Sequence, residues 1–147
     1  MKNKNVLRVC GVVVALTVTG YAQAGPEVTI TFKNNGTATA SYDVVGSSAY
    51  SYAEARPKPK AEIKPGDSDV YGVKGAQSPD VTTVVFQYKM GAKICKFKTS
   101  YIKLPSRSGT VPKWQKSEQS LGGARCEAKI TGTNFATHDW AVEFSMK

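Results

Sequence analysis

Apolar and polar residues alternate with a period of two along most of the chain after residue 25, which predicts strands and no convincing helix. Val28, Ile30 and Phe32 alternate with Thr29, Thr31 and Lys33, the pattern of a half-buried strand. Asn34-Asn35-Gly36 follows, and because Asn-Gly accepts the positive φ angles of a type I′ turn, a hairpin into a second strand over 39–45 is expected. Gly46-Ser47-Ser48 then opens a segment expected to be irregular, through Tyr50, Tyr52 and Arg56-Pro57-Lys58-Pro59-Lys60, whose prolines favour an extended, unpaired backbone. Short strands over 61–64 and 69–73 flank the turn Pro65-Gly66-Asp67.

The longest strand is expected over 81–90, turning at Gly91-Ala92 and returning over 93–101. Side-chain parity puts Val84, Phe86, Tyr88, Cys95, Phe97 and Tyr101 inward. Lys89, Lys96 and Lys98 then share the exposed face with Val85, Gln87 and Ile94. Residues 104–119, broken by Pro105, Gly109 and Pro112, read as a long connection, and loops of that length are often functional. Beyond Gly122-Gly123, a strand over 125–131 turns Cys126, Ala128 and Ile130 inward, and a last strand over 138–146 does the same with Trp140, Val142, Phe144 and Met146. About eight short strands joined by Gly, Pro and Asn turns predict an all-β, single-domain antiparallel β-sandwich, with a closed β-barrel as second choice.

The first 24 residues do not fit this pattern. Lys2, Lys4 and Arg8 precede an apolar run from Val9 to Val18, and Ala22-Gln23-Ala24 is a small-x-small cleavage site, so 1–24 reads as a signal peptide cleaved after Ala24. A bilayer span needs roughly twenty apolar residues, so no transmembrane segment is expected after cleavage. The mature domain is 25–147, periplasmic or secreted. It keeps two cysteines, Cys95 and Cys126, which in an exported chain most simply form one disulfide. That bond closes a loop of about 30 residues and contributes about 3–4 kcal/mol on a loop-entropy basis.

Cleavage removes three basic residues and leaves 17 against 11 acids, a net charge of +6. The excess is local: Lys89, Lys93, Lys96, Lys98, Lys103, Arg107, Lys113 and Lys116 fall within one stretch that has no acid. Such asymmetry raises the local concentration of anionic partners. Trp114 sits among Arg107, Lys113 and Lys116, where an indole can stack on a ligand or fold back to plug the open end of the sandwich. Tyr50 and Tyr52, followed by Arg56, Lys58 and Lys60, form a second aromatic–basic group.

No catalytic constellation is evident. The single histidine, His138, reads as a partly exposed edge residue beside Trp140. No nucleophile elbow, phosphate-binding glycine loop or zinc ligand set is present. Glu62, Asp67 and Asp69 could converge, and Asp67-Ser68-Asp69 is a candidate hard-cation corner; neither is specific enough to assign a cofactor or metal, and none is expected. Asn35-Gly36-Thr37 matches a glycosylation sequon, though the same residues already serve the expected turn.

In size, all-β pattern and turns such as Ile63-Lys64-Pro65-Gly66, the chain is similar in architecture to small secreted β-sandwich proteins such as aegerolysins and actinoporins. That resemblance implies a lipid-binding sandwich and assigns no residue. The sequence points first to an exported, non-enzymatic binding protein. Its anionic partner would be an acidic glycan, a lipid surface or an acidic protein face, engaged through Lys89, Lys96 and Lys98, the Lys103–Arg107–Lys113–Trp114–Lys116 loop, and Tyr50 and Tyr52. One alternative is a periplasmic immunity or inhibitor protein against a secreted bacterial toxin; another is a membrane-damaging toxin of the sandwich type. Export argues against nucleic acid as the target.

Overall fold

The inward rows expected from the alternation are the rows that meet across the core. In a computed structural model describing residues 24–147, the chain forms β1 (Glu27–Asn34), β2 (Ala40–Tyr42), a 3-10 turn (Gly46–Ser48), α1 (Ala49–Glu54), β3 (Ala55–Arg56), β4 (Glu62–Ile63) and β5 (Ser68–Lys74). It continues through β6 (Val81–Met90), β7 (Lys93–Ser106), β8 (Gly109–Leu121), β9 (Cys126–Thr133) and β10 (Trp140–Met146). The expected signal peptide lies outside the described residues except for Ala24, which is exposed.

One sheet has the order β3-β5-β1-β10-β9 and the other β4-β2-β6-β7-β8. They face each other as a β-sandwich and do not close into a barrel. The ladders are antiparallel apart from β1 and β10, which pair in parallel with Ile30 opposite Val142 and Phe32 opposite Phe144. The first and last strands therefore lie side by side at the centre of the first sheet. Each needs a buried face, and the alternation supplies it: Val28, Ile30 and Phe32 from β1, Trp140, Val142, Phe144 and Met146 from β10. From the other sheet, Val84, Phe86 and Tyr88 of β6 and Cys95, Phe97 and Tyr101 of β7 complete the core. Phe86 sits at its middle, 5.0 Å from Phe144 and 5.3 Å from Phe97 between ring centroids. Burial of such a side chain contributes about 1.5–3 kcal/mol.

Three local expectations are corrected. Asn34-Asn35-Gly36 does not turn a hairpin: β1 lies in the first sheet and β2 in the second, so the segment is a crossover. Asn34 is fully buried at the crossover, where its amide nitrogen donates to Ala38 O and Ile63 O, both at 2.8 Å, and its Oδ1 accepts from Gly36 N at 2.9 Å. A side-chain Asx turn has replaced the backbone turn. Gly36 lies close against the end of the Met90 side chain, which would have to shift to admit a Cβ.

The segment after Gly46 is not irregular throughout, because it contains α1. Ser51 Oγ accepts from Val85 N at 2.9 Å, which fastens α1 to β6. The C-terminal carbonyls of α1 are met by cations: Lys58 Nζ donates to Tyr52 O and Ala53 O, and Arg56 to Ala53 O. Positive groups at that end also complement the helix dipole. A helix of 6 residues is too short for a 3.6-residue period to be read in sequence.

The long connection over 104–119 is absent. β7 and β8 form one hairpin whose ladder runs from Ile94–Leu121 to Ser106–Gly109. Proline had suggested a break, but Pro112 stands on β8, the outermost strand of its sheet, where a missing N–H is tolerated. Gly122 and Gly123, both at positive φ, then carry the chain from β8 across to β9. The disulfide Cys95–Cys126, with Cα atoms 5.6 Å apart, ties β7 to β9 at this side of the sandwich.

Candidate functional site

The hairpin determines where the cations go. On β6, β7 and β8 the outward positions run Val85, Gln87, Lys89; Lys96, Lys98, Ser100, Ile102; and Lys113, Gln115, Ser117, Gln119. Ladder register places Lys96 between Gln87 and Gln119, and Lys98 between Val85 and Ser117. Lys113 is opposite Ile102 on the same face. No Asp or Glu occupies an outward position of these three strands. Lys96, Lys98 and Lys113 are exposed, and among the described residues they form no ion pair. A shallow depression of about 180 Å³ is bordered by Lys98, Ser100, Gln115, Lys116 and Ser117.

Lys89 belongs to this face but is neutralised locally. Its Nζ lies 2.6 Å from Asp43 Oδ2, and Gln87 also donates to that carboxylate. The Lys89 hydrogen bond is the main cause holding the Asp43 carboxyl below its ordinary range.

The remaining cations of the expected loop are divided by strand alternation. Lys103 lies in the inward row of β7, at the end of the sandwich, and pairs with Asp80 at 3.1 Å. Arg107 occupies the turn between β7 and β8. Lys116 lies in the row of Trp114, turned away from Lys113, and approaches Glu118 at 3.5 Å. The basic stretch is thus a three-lysine face, with Lys89 at its margin, and a separate set at the end and edge of the sheet. A single continuous patch would require Lys113, Trp114 and Lys116 to point one way, and a strand forbids that.

Trp114 is half-buried. Its Nε1 donates to His138 O at 3.0 Å, and its ring lies 5.9 Å from Tyr101. The plug reading describes it better than a free stacking surface. Phe135, which the sequence analysis did not single out, stands edge-on to Trp114 at 5.0 Å and is 72% exposed. Its loop is held by hydrogen bonds from Asn134 N to Asp139 O and from His138 N to Asn134 O, at 2.8 and 2.7 Å. Asn134 Oδ1 also accepts from Ala136 N and Thr137 N. The asparagine ahead of this turn was the available signal.

Tyr50 and Tyr52 sit on α1, away from the lysine face. Tyr52 packs on Tyr42 at 5.6 Å under the ammonium of Lys58, and the Tyr50 hydroxyl accepts from Ala76 N at 3.3 Å. Both rings and the cations of Arg56 and Lys58 are occupied in fastening α1. Tyr50 also borders a cleft of about 400 Å³ with Val73, Lys74 and Val81.

The acidic candidates do not assemble. Asp69 turns inward on β5, where its carboxylate accepts from Lys60 N at 2.8 Å, whereas Asp67 stays exposed in the turn. His138 is half-buried, at φ 66°, with its ring 5.1 Å from Tyr101. Among the described residues, no three His, Cys, Asp or Glu side chains come together as a metal site, and no helix is long and apolar enough to cross a membrane. No family model matches the chain, and no curated protein matches it in sequence.

Proposed function

We propose that the protein is an exported, non-enzymatic binding protein that engages an anionic partner through the outer face of β6, β7 and β8. The observation that carries this reading is the acid-free lattice in which Lys96, Lys98 and Lys113 stand among Ser100, Gln115, Ser117 and Gln119. Ammonium groups supply attraction, and the amides and hydroxyls between them supply hydrogen bonds to carboxylate, sulfate or phosphate oxygens. The ladders beneath fix where each side chain leaves the backbone, so binding has only the side chains to order. Export rests on the basic, apolar and small-residue order of 1–24.

Binding to polygalacturonate, phosphatidylglycerol vesicles and an acidic peptide, measured over a salt series, tests the reading. At least one should bind at low salt and weaken steeply as salt rises, because exposed charges are screened over about 8–10 Å. Lys96→Glu/Lys98→Glu should abolish that binding without altering the fold. Equal binding by this variant would remove the face from consideration.

A further inference from the structure

The outermost strand of the second sheet leaves one edge open beside these cations. β8 is 13 residues long and pairs with β7 alone, whereas the opposite edge strand of that sheet, β4, has 2 residues. The end of β8 nearest the disulfide is engaged, since Ser120 Oγ accepts from Cys126 N at 3.2 Å. Among the described residues, no strand pairs with the other side of 109–116, so about half of their backbone groups face outward. Such an edge is a template for another strand unless something defends it.

The defence here is selective. Pro112, Lys113 and Lys116 lie along the edge and Arg107 at its tip, with no acid between residues 93 and 117. In a second copy pairing edge to edge, the same cations would confront one another, and like charges directly opposed are destabilising. A strand bearing carboxylates meets the opposite sign. The edge also has an apolar anchor, because the Trp114 ring on β8 meets the exposed Phe135 ring edge-on at 83°. Phe135 is held outward by a hydrogen-bonded turn, so its exposure is built into the loop. Glycans and lipids lack the alternating N–H and C=O groups that would pair with a strand edge; a polypeptide has them.

We propose that the 109–116 edge of β8 docks an acidic, extended segment of another protein. The segment adds as a sixth strand, with a carboxylate on one face toward Lys113, carboxylates on the other toward Lys116 and at the tip toward Arg107, and one apolar side chain against the Trp114–Phe135 pair. This rests on the anionic-partner reading for its charge and names the partner as protein.

The test uses the ¹⁵N-labelled protein and three short synthetic peptides. One carries Glu on both faces of the strand around a central Tyr flanked by Val, one replaces alternate residues by Pro, and one carries Lys for Glu. The acidic peptide should slow exchange of the outward-facing amides within 109–116 at least tenfold, and added salt should reverse this. Lys113→Glu/Lys116→Glu should abolish the effect, and Phe135→Ala should weaken it several-fold, with thermal unfolding of both variants unchanged. The proline and lysine peptides should not protect the edge. No protection at millimolar acidic peptide, equal binding of the proline peptide, or a dimer in sedimentation that already protects these amides would overturn the proposal. So would binding to anionic vesicles alone. Lys96→Glu/Lys98→Glu separates the two readings: protection that survives it leaves the edge standing and the lysine face dispensable, whereas peptide binding lost with it and never accompanied by edge protection leaves only the face.

Discussion

The indole N–H of Trp114 donates to the carbonyl of His138 at 3.0 Å, joining the edge strand of one sheet to the loop that leads into the last strand of the other. With Tyr101 on one side and Phe135 on another, Trp114 closes this side of the sandwich. Trp114→Ala should therefore cost about 2–4 kcal/mol in urea unfolding, toward the lower end for large-to-small changes because the ring is only half-buried. Trp114→Phe keeps an aromatic ring but leaves the His138 carbonyl without its donor, for about 1 kcal/mol. A free stacking residue would show neither loss.

The disulfide acts at the neighbouring part of the same edge. Cys95 and Cys126 are separated by 31 positions, and their bond links β7 to β9 across the sheets. Cys95→Ala/Cys126→Ala should lower stability by about 3–4 kcal/mol. The sharper expectation is locality: hydrogen exchange should rise first at the two edge strands β8 and β9, whereas amides of β1, at the centre of the first sheet, should change least relative to the global loss.

Asn34 is buried with both ends of its amide committed, to Ala38 O and Ile63 O as donor and to Gly36 N as acceptor. Asn34→Leu should cost about 2–4 kcal/mol, since it strands two carbonyls and one N–H. Asn34→Asp tests the donor side separately. Its carboxylate would face two carbonyl oxygens, which raises the folded-state pKa above the unfolded value. The variant should then be most stable below the unfolded carboxyl pKa and lose stability as pH rises through the folded one, an acid-side maximum visible in melts from pH about 3 to 7.

At alkaline pH the core tyrosines govern. Burial is the main cause that pushes the Tyr42, Tyr71 and Tyr88 hydroxyls above their usual range, with Tyr52 adding at Tyr42 and Asp69 at Tyr88. A raised folded pKa means that this contribution is intact below the unfolded pKa of about 10 and declines as pH rises beyond it. Absorbance of tyrosinate should accordingly show a cooperative step that coincides with loss of near-ultraviolet ellipticity. A smooth titration of all six tyrosines of 25–147 without unfolding would contradict this burial.

Much of this architecture was readable because parity is a property of the strand itself. The inward rows of β1, β6, β7 and β10, and the shared outward face of Lys89, Lys96 and Lys98, follow from alternation alone. What could not be read was how elements are joined. Asn34-Asn35-Gly36 has the composition of a hairpin turn, yet the chain uses the asparagine side chain to cross between sheets. Pro105, Gly109 and Pro112 resemble punctuation, but a hairpin edge accommodates them, and continuing the alternation would have separated Lys113 from Trp114. Phe135 escaped notice because its role depends on Trp114, which is distant in sequence and adjacent only after folding.

The division of lysines by face leads to a further expectation. At low salt the range of attraction exceeds the width of the domain, so neutralising any one lysine should slow association with an anionic partner by a similar factor. Near physiological salt the range falls to about 8 Å, and only charges close to the contact should count. Lys96→Ala, Lys98→Ala and Lys113→Ala should then still slow association and speed dissociation. Lys103→Ala should not, because Lys103 is paired with Asp80 at the end of the sandwich. Lys89→Ala is the informative intermediate: it frees the Asp43 carboxylate at the margin of the face, so near physiological salt its effect should exceed that of Lys103→Ala. Stopped-flow association at two ionic strengths distinguishes these cases, and a uniform response of all five variants at both would mean that net charge, not this face, attracts the partner.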